Sequence, residues 1–430
     1  MKARTDPVGA RLLGLALALT LALALLASLA APVAALASIQ TRITAILVNH
    51  GLAGPGTAVR VWDADSGRGV YTRNVSSLLA PASNEKLVTS ATALVKWGAD
   101  YAFKTELYLP QTPPDDDGVL RGNVYLKGYG DPSLSTGWFQ HNVLHISTAN
   151  ISAFAKTLQD LGVTKIVGKV VGDESYFDTA RSVPSWRPGM TEWCGPLSAL
   201  SLNEGTVEGR RVGDPALFTA RRLTDILENN GIEVTGSPAV GKVPRAAMLY
   251  FTESSAPLAT IIWAMNKPSD NFFAETITKG LGAAFGTGGT TAAGVRVEAS
   301  FLVSAGVSTS SFRLYDGSGL SYGDRLSTGG VTRLLRTMAT IDDYPYFWAS
   351  LPVAGRDGTL YERMRHTPAA GNLHGKTGTL AIASTLSGYV QTADGHSVIF
   401  SILMNRSGLD ITAAHRAQDA IGVALAKATL

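Results

Sequence analysis

A serine three residues ahead of a lysine, Ser83-Asn84-Glu85-Lys86, is the first group in this 430-residue chain whose spacing suits covalent chemistry. Residues three apart share a helix face, so the Lys86 amine comes within reach of the Ser83 hydroxyl. An ammonium accepts no proton, but burial and neighbouring cations favour the neutral amine, which does. Pro81-Ala82 just ahead sets Ser83 at the opening of a helix, where the dipole favours developing negative charge. The same pattern equally describes an N-capping serine and a solvated lysine.

Two further groups follow in order. Ser269-Asp270-Asn271 offers a hydroxyl able to relay a proton to a leaving group and an amide able to orient a peptide bond. Pro268 before it and the helical run from Phe272 to Leu281 after it set these residues at a helix start, so a capping role for Ser269 or Asp270 stays open. Lys376-Thr377-Gly378-Thr379 enters a β-forming segment that would line one edge of a cleft. Lys376 brings charge, Thr377 a hydroxyl, and Gly378 a backbone that passes close to a ligand, a chemistry suited to a carboxylate. The Thr379 N–H would pair with that of Ser83 to hold an oxyanion. The plain alternative is a surface strand whose lysine faces water.

The elements needed to position these groups are legible at both ends of the chain. Ile39, Ile43, Ile46 and Leu47 recur at helical spacing, and strands Ala58 to Trp62 and Gly69 to Tyr71 follow around an Asp/Ser/Gly turn. The C-terminus mirrors them, with strands Ser384 to Gln391 and Ser397 to Met404 and then a helix from Ile411 to Lys427. Together they predict an α+β fold, one antiparallel sheet covered by both terminal helices. Leu87, Ala91, Leu94 and Val95 mark the helix after Ser83, which Gly98 ends. From about Tyr101 to Tyr250 short strand-like pieces between Gly, Pro and Asp turns read as an inserted β-rich domain.

Composition narrows the field. An apolar fraction of 45% with 17% charged residues is that of a globular chain, and a net charge of +3 without a basic run leaves neither a nucleic-acid footprint nor a polybasic membrane patch. The single cysteine, Cys194, excludes an internal disulfide and reads as a small buried hydrophobe. His141 and His145 stand four apart, but Asn-Val-Leu between them lacks the glutamate of the zinc pattern, and Asp115-Asp116-Asp117-Gly118 lacks the remaining calcium ligands. No metal or cofactor is expected. Lys2, Arg4 and Arg11 precede an apolar run from Leu12 to Ala31 and a small-x-small site at Ala35-Leu36-Ala37, which predicts export and cleavage after Ala37. An uncleaved leader would be the one membrane contact.

Taken together, the three motifs resemble those of penicillin-binding proteins and class A β-lactamases. Asn266-Lys267-Pro268-Ser269-Asp270-Asn271, Asp316-Gly317-Ser318-Gly319-Leu320-Ser321, Leu351-Pro352-Val353-Ala354-Gly355, Gly130-Asp131-Pro132-Ser133-Leu134 and Leu197 to Asn203 resemble the DacB-type D-alanyl-D-alanine carboxypeptidases and endopeptidases, the class C low-molecular-mass penicillin-binding proteins. The resemblance implies a β-lactamase/transpeptidase-like catalytic domain over 38–100 and 251–430, interrupted by an insert over 101–250, after a signal peptide over 1–37. It implies Ser83, Lys86, Ser269 and Asn271 as catalytic residues and Lys376, Thr377, Gly378 and Thr379 as substrate-binding ones. The substrates implied are D-Ala-D-Ala ends of peptidoglycan stem peptides, with β-lactams acylating the same serine and no cofactor required. Ser83 and Ser269 are 186 positions apart (269 minus 83), a span that points to a reduced insert. Tyr322 stands where the family often carries a basic residue, with Arg325 nearby as a substitute. A serine β-lactamase and a noncatalytic cell-wall peptide binder remain the alternatives, although no Glu-x-x-Leu-Asn lies between Asn271 and Lys376 to support fast drug hydrolysis.

Overall fold

Strands from the two ends of the chain pair with one another. The computed structural model describes residues 38–430, so the leader expected over 12–31 and the cleavage site after Ala37 lie outside the described residues. One antiparallel sheet runs in the order His374–Leu380, Ala383–Gln391, Ser397–Asn405, Thr57–Asp63, Arg68–Arg73. Its two faces bury different partners, as alternation of side chains requires. Val59, Val61, Phe400 and Ile402 pack against Ile39, Ile43 and Leu47 of the helix over 38–49 and Ile421 and Leu425 of the helix Ile411–Ala426. The opposite face, through Tyr389, Ile399 and Leu403, joins the core of a helical layer built from Lys86–Trp97, Leu258–Asn266, Asn271–Phe285, Thr291–Ser304 and Thr328–Met338. The expected α+β arrangement is the one observed.

The segment between the first and second motifs has its own sheets and core. Ala239–Val240, Val170–Asp173, Val124–Gly128, Lys104–Leu109 and Met248–Ser254 form a five-stranded sheet, and Glu233–Val234, Lys165–Val167 and Val119–Arg121 a smaller one. The strand-like texture of the sequence concealed two helices, Ser152–Asp160 and Pro215–Asn229, which make crossovers between parallel strands and supply Phe154, Leu158, Leu223 and Leu227 to the local core. The stretch from Phe177 to Leu197 leaves that core. Val183, Trp186, Cys194 and Leu197 enter the helical layer instead, Lys279 donates to Asp178 at 2.5 Å, and Trp186 Nε1 donates to Asp316 Oδ2 at 2.7 Å.

The helices Asn271–Phe285 and Thr291–Ser304 lie close enough that any side chain at Gly294 would collide with Thr278 O. This brings Glu298 against Thr278, whose hydroxyl donates to Glu298 Oε1 at 2.9 Å, and completes a layer of fully buried carboxyls with Glu85, Glu275, Asp316 and Asp324. Burial pushes Glu298 up from 4.5 to about 8. Between those values the unfolded chain ionises while the folded one holds its proton, so this contribution is complete below 4.5 and is lost as pH rises through about 8. Glu298→Gln is therefore expected to raise the melting stability at pH 8 by on the order of 2–4 kcal/mol and to change little near pH 4.5. Superimposable melting curves at pH 8 would contradict it.

Candidate active site

Ser83 lies in a single 3-10 turn, Ala82–Glu85, that runs into the α-helix Lys86–Trp97. It thus precedes the α-helix by one tight turn rather than opening it, and in such a turn residues i and i+3 eclipse. Lys86 Nζ stands 3.2 Å from Ser83 Oγ. The turn is pinned from outside: Asn84 Nδ2 donates to Lys376 O at 2.8 Å and Thr385 Oγ1 to Pro81 O at 2.9 Å. Ala82 takes a left-handed backbone, φ 47°, which a residue with a Cβ adopts only when its surroundings impose it. Two glycines make that close fit possible. A side chain at Gly319 would collide with Ala82 O, and a Cβ on Gly378 would lie 2.7 Å from Ser83 N.

Lys86 is fully buried and has three partners around Nζ: Ser83 Oγ, Asn271 Oδ1 at 2.7 Å and Ser318 O at 2.8 Å. The orientation of the Asn271 amide follows from Nδ2, which donates to Trp193 O at 2.7 Å. Two of the three partners of Lys86 are therefore pure acceptors. When the ammonium loses one proton, its two remaining N–H groups stay on those acceptors and the lone pair faces Ser83, the one partner able to donate. Burial lowers Lys86 to about 8, against the opposing pull of Asp270, Asp316 and Glu275.

Asp270 caps the helix Asn271–Phe285, its Oδ1 accepting from Phe273 N at 2.8 Å. Ser269, left-handed at φ 69°, presents Oγ to Lys376 Nζ at 2.8 Å. Lys376 does not face water. It lies on the edge strand His374–Leu380, is fully buried, and is held well below the usual ammonium range by burial and by the Lys86 charge. Thr377 Oγ1 lies 2.6 Å from Thr359 Oγ1. All three motifs therefore meet at one place, a cavity of about 520 Å³ lined by Ser83, Ser269, Asn271, Thr377, Gly378 and Thr379, with Lys86 and Lys376 behind its wall.

Other contributors escaped the sequence reading. Glu275 Oε1 accepts from Gly317 N at 3.1 Å and Ser318 N at 2.9 Å, which aims the Ser318 carbonyl at Lys86. Asn271, Glu275 and Thr278, recurring at spacings of four and three on one side of a largely apolar helix, were the available signal. Met190 and Trp193, from the chain between the first and second motifs, and Leu320 and Tyr322 form the apolar wall. Arg325 donates to Tyr322 O and Asp324 O and so braces that loop, whereas Arg187, exposed on the chain between the first and second motifs, lies 3.9 Å over the Tyr322 ring. Cys194 is buried, and burial pushes its thiol well above the usual range. His141 and His145 are exposed. The group with metal-ligand geometry among the described residues is Asp63, Asp65 and His396, whose atoms are engaged in the hydrogen bonds of two turns.

The chain matches the model of the D-Ala-D-Ala carboxypeptidase 3 (S13) family over residues 39–210 and 203–428. It is 30% identical over 476 aligned positions to a D-alanyl-D-alanine carboxypeptidase of Actinomadura sp. (strain R39), covering 92% of this chain and 85% of that one. It is 29% identical to carboxypeptidase DacB of Mycolicibacterium smegmatis, over 88% and 82% of the two chains. Penicillin binding protein 4 (dacB) of Haemophilus influenzae superposes with a TM-score of 0.76 at 19% identity, over 90% of this chain and 99% of its own.

Proposed function

The chain belongs to the D-Ala-D-Ala carboxypeptidase 3 (S13) family, and from that premise we propose that it is an exported serine peptidase that removes D-alanine from D-Ala-D-Ala ends of cell-wall stem peptides through an acyl-enzyme. The observation that carries this reading is the Lys86 amine, buried between two acceptors with its third partner the Ser83 hydroxyl. Ser83 Oγ attacks the carbonyl carbon between the two D-alanines as its proton passes to Lys86 Nζ. The Ser83 and Thr379 N–H groups hold the oxyanion. A proton relayed through Ser269 reaches the leaving nitrogen, the C–N bond breaks and D-alanine departs, after which water cleaves the ester and frees Ser83. Lys376 and Thr377 take the terminal carboxylate, and Asn271 orients the stem amide. Residues 38–100 and 251–430 serve as the catalytic part and 101–250 as an insert that supplies one wall.

β-Lactams are expected to acylate the same serine; a solved Haemophilus influenzae penicillin binding protein 4 at TM-score 0.67 is a complex with a novel β-lactam. Among the described residues no carboxylate lines the cavity to activate a deacylating water, which favours a long-lived adduct over the turnover of a β-lactamase. Fluorescent penicillin with the parent and Ser83→Ala proteins, followed by intact mass and peptide mapping, tests the reading. A stable adduct on Ser83 together with D-alanine release supports it; rapid loss of the adduct favours a β-lactamase, and peptide binding without adduct or release favours a noncatalytic binder. Cleavage of cross-links is the same chemistry with a longer leaving group, and its rate against a cross-linked dimer measures that share.

Arg187 gives the cavity mouth a cation stacked on Tyr322, with no ion pair among the described residues. It compensates for the family's basic residue at 322. A stem peptide with a free side-chain carboxylate next to the D-Ala pair is expected to show a KM about fivefold lower than its side-chain amide. Arg187→Ala should abolish this preference; an undiminished ratio would remove Arg187 from recognition.

A further inference from the structure

The insert reaches the second motif at a second point besides Trp193. Asn203, Glu204 and Gly205 all take left-handed backbone, φ 53°, 57° and 65°, in a turn held by Asn203 N donating to Leu134 O at 3.0 Å and Thr136 N donating to Asn203 Oδ1 at 2.9 Å. Gly195 packs so tightly on this turn that any Cβ there would collide with Glu204 O. The turn directs the Glu204 carboxyl to that of Asp270, within hydrogen-bonding reach. Ser269, directly before Asp270, is left-handed as well. Strained residues on both sides of one contact persist only where the surrounding structure over-determines them.

We propose that Glu204 is a positioning residue for the second motif: its carboxyl O–H donates to the Asp270 carboxylate, and this one shared proton clamps the insert to the catalytic part. Two partly buried carboxyls this close do not both ionise, and O–H to carboxylate is a strong hydrogen bond. Burial and the Asp270 charge hold Glu204 well above the usual carboxylate range. With one oxygen on Phe273 N and the other side of the group on Glu204, Asp270 fixes the first turn of its helix and with it Asn271, which holds Lys86. The charged and titratable groups facing the pair are Lys86 on the Asp270 side and Cys194, with Arg211 and Glu275 beyond that thiol. Loss of the shared proton sets a second negative charge near Lys86, favours its ammonium form and withdraws the base.

This inference rests on the Ser83–Lys86 acyl-transfer reading for its kinetic arm only. Acylation by fluorescent penicillin is measured across pH for the parent, Glu204→Ala and Glu204→Gln, with melting curves for each. Glu204→Ala is expected to acylate about tenfold more slowly than the parent at neutral pH, and Glu204→Gln, whose amide still donates, to recover most of that loss and to resist the alkaline decline. A parent-like Glu204→Ala, or a Glu204→Gln as slow as Glu204→Ala, overturns the proposal. Should Glu204→Ala fail to fold, the parent-minus-Glu204→Gln infrared difference spectrum at neutral pH decides: a protonated-carboxyl band present in the parent and lost in the variant is expected, and its absence overturns the shared proton. That arm reads the pair even if the parent never labels at Ser83, in which case the acyl-transfer reading alone fails.

Discussion

Lys86→Ala is expected to slow acylation of Ser83 by about 10³-fold or more, the size of effect that removal of a positioned base carries. The nucleophile survives this change, since Asn84 and Thr385 hold its turn independently of Lys86. Lys86→Arg separates charge from basicity. A guanidinium can still donate to Asn271 Oδ1 and Ser318 O but never becomes neutral, so it should remain as inactive as the alanine variant. In the parent the base form is the minority below its titration. With Lys86 lowered by burial to about 8, the acylation rate constant is expected to climb roughly tenfold per pH unit on the acid side and to level near 8, falling again where the Glu204–Asp270 pair loses its proton. A pH-independent rate from 5 to 9, or an active arginine variant, would remove Lys86 as the base.

The second large effect concerns the substrate's end. Peptides ending in a free D-alanine carboxylate should be cleaved about 10²-fold faster than the same peptides ending in an amide, because only the carboxylate draws a proton onto Lys376 and gains a charge-assisted pair there. Lys376 is held well below the ordinary ammonium range by burial and by Lys86, and an arriving carboxylate reverses that bias. Binding should therefore be accompanied by proton uptake, visible as a buffer-dependent heat in calorimetry on the Ser83→Ala protein. Lys376→Ala should bring acid and amide peptides to nearly equal rates. If the amide is cleaved as fast as the acid by the parent, Lys376 has another task.

The periodic features of the sequence carried far. Alternating β-formers at both ends and helical spacing after residue 38 sufficed for the shared sheet, because the buried face of each strand and helix follows from its period. Ser83, Lys86, Ser269, Asn271 and the stretch from Lys376 to Thr379 were legible because short motifs keep their members on one turn or one strand. What stayed hidden depends on tertiary contact. Trp193 acts through a carbonyl, which every residue possesses, and Glu275 through acceptance from two backbone N–H groups of a loop more than forty positions away. Glu204 and Arg187 sit in turns whose polar residues look solvated until the insert is folded back onto the helices. The helices Ser152–Asp160 and Pro215–Asn229 were missed because short strands and turns dominate the surrounding texture.

The pairing of Val61 with Phe400 joins positions 339 apart (400 minus 61), and the strand Ser397–Asn405 occupies the middle of its sheet. A growing polypeptide thus lacks the keystone of its largest sheet until the strand Ser397–Asn405 has been translated, more than 300 residues after its partner Thr57–Asp63. Contacts this distant in sequence form late and slowly. For a chain proposed to thread a translocation channel, that delay is useful: premature closure is ruled out by topology, and the nucleophile is assembled only after the last strands have crossed.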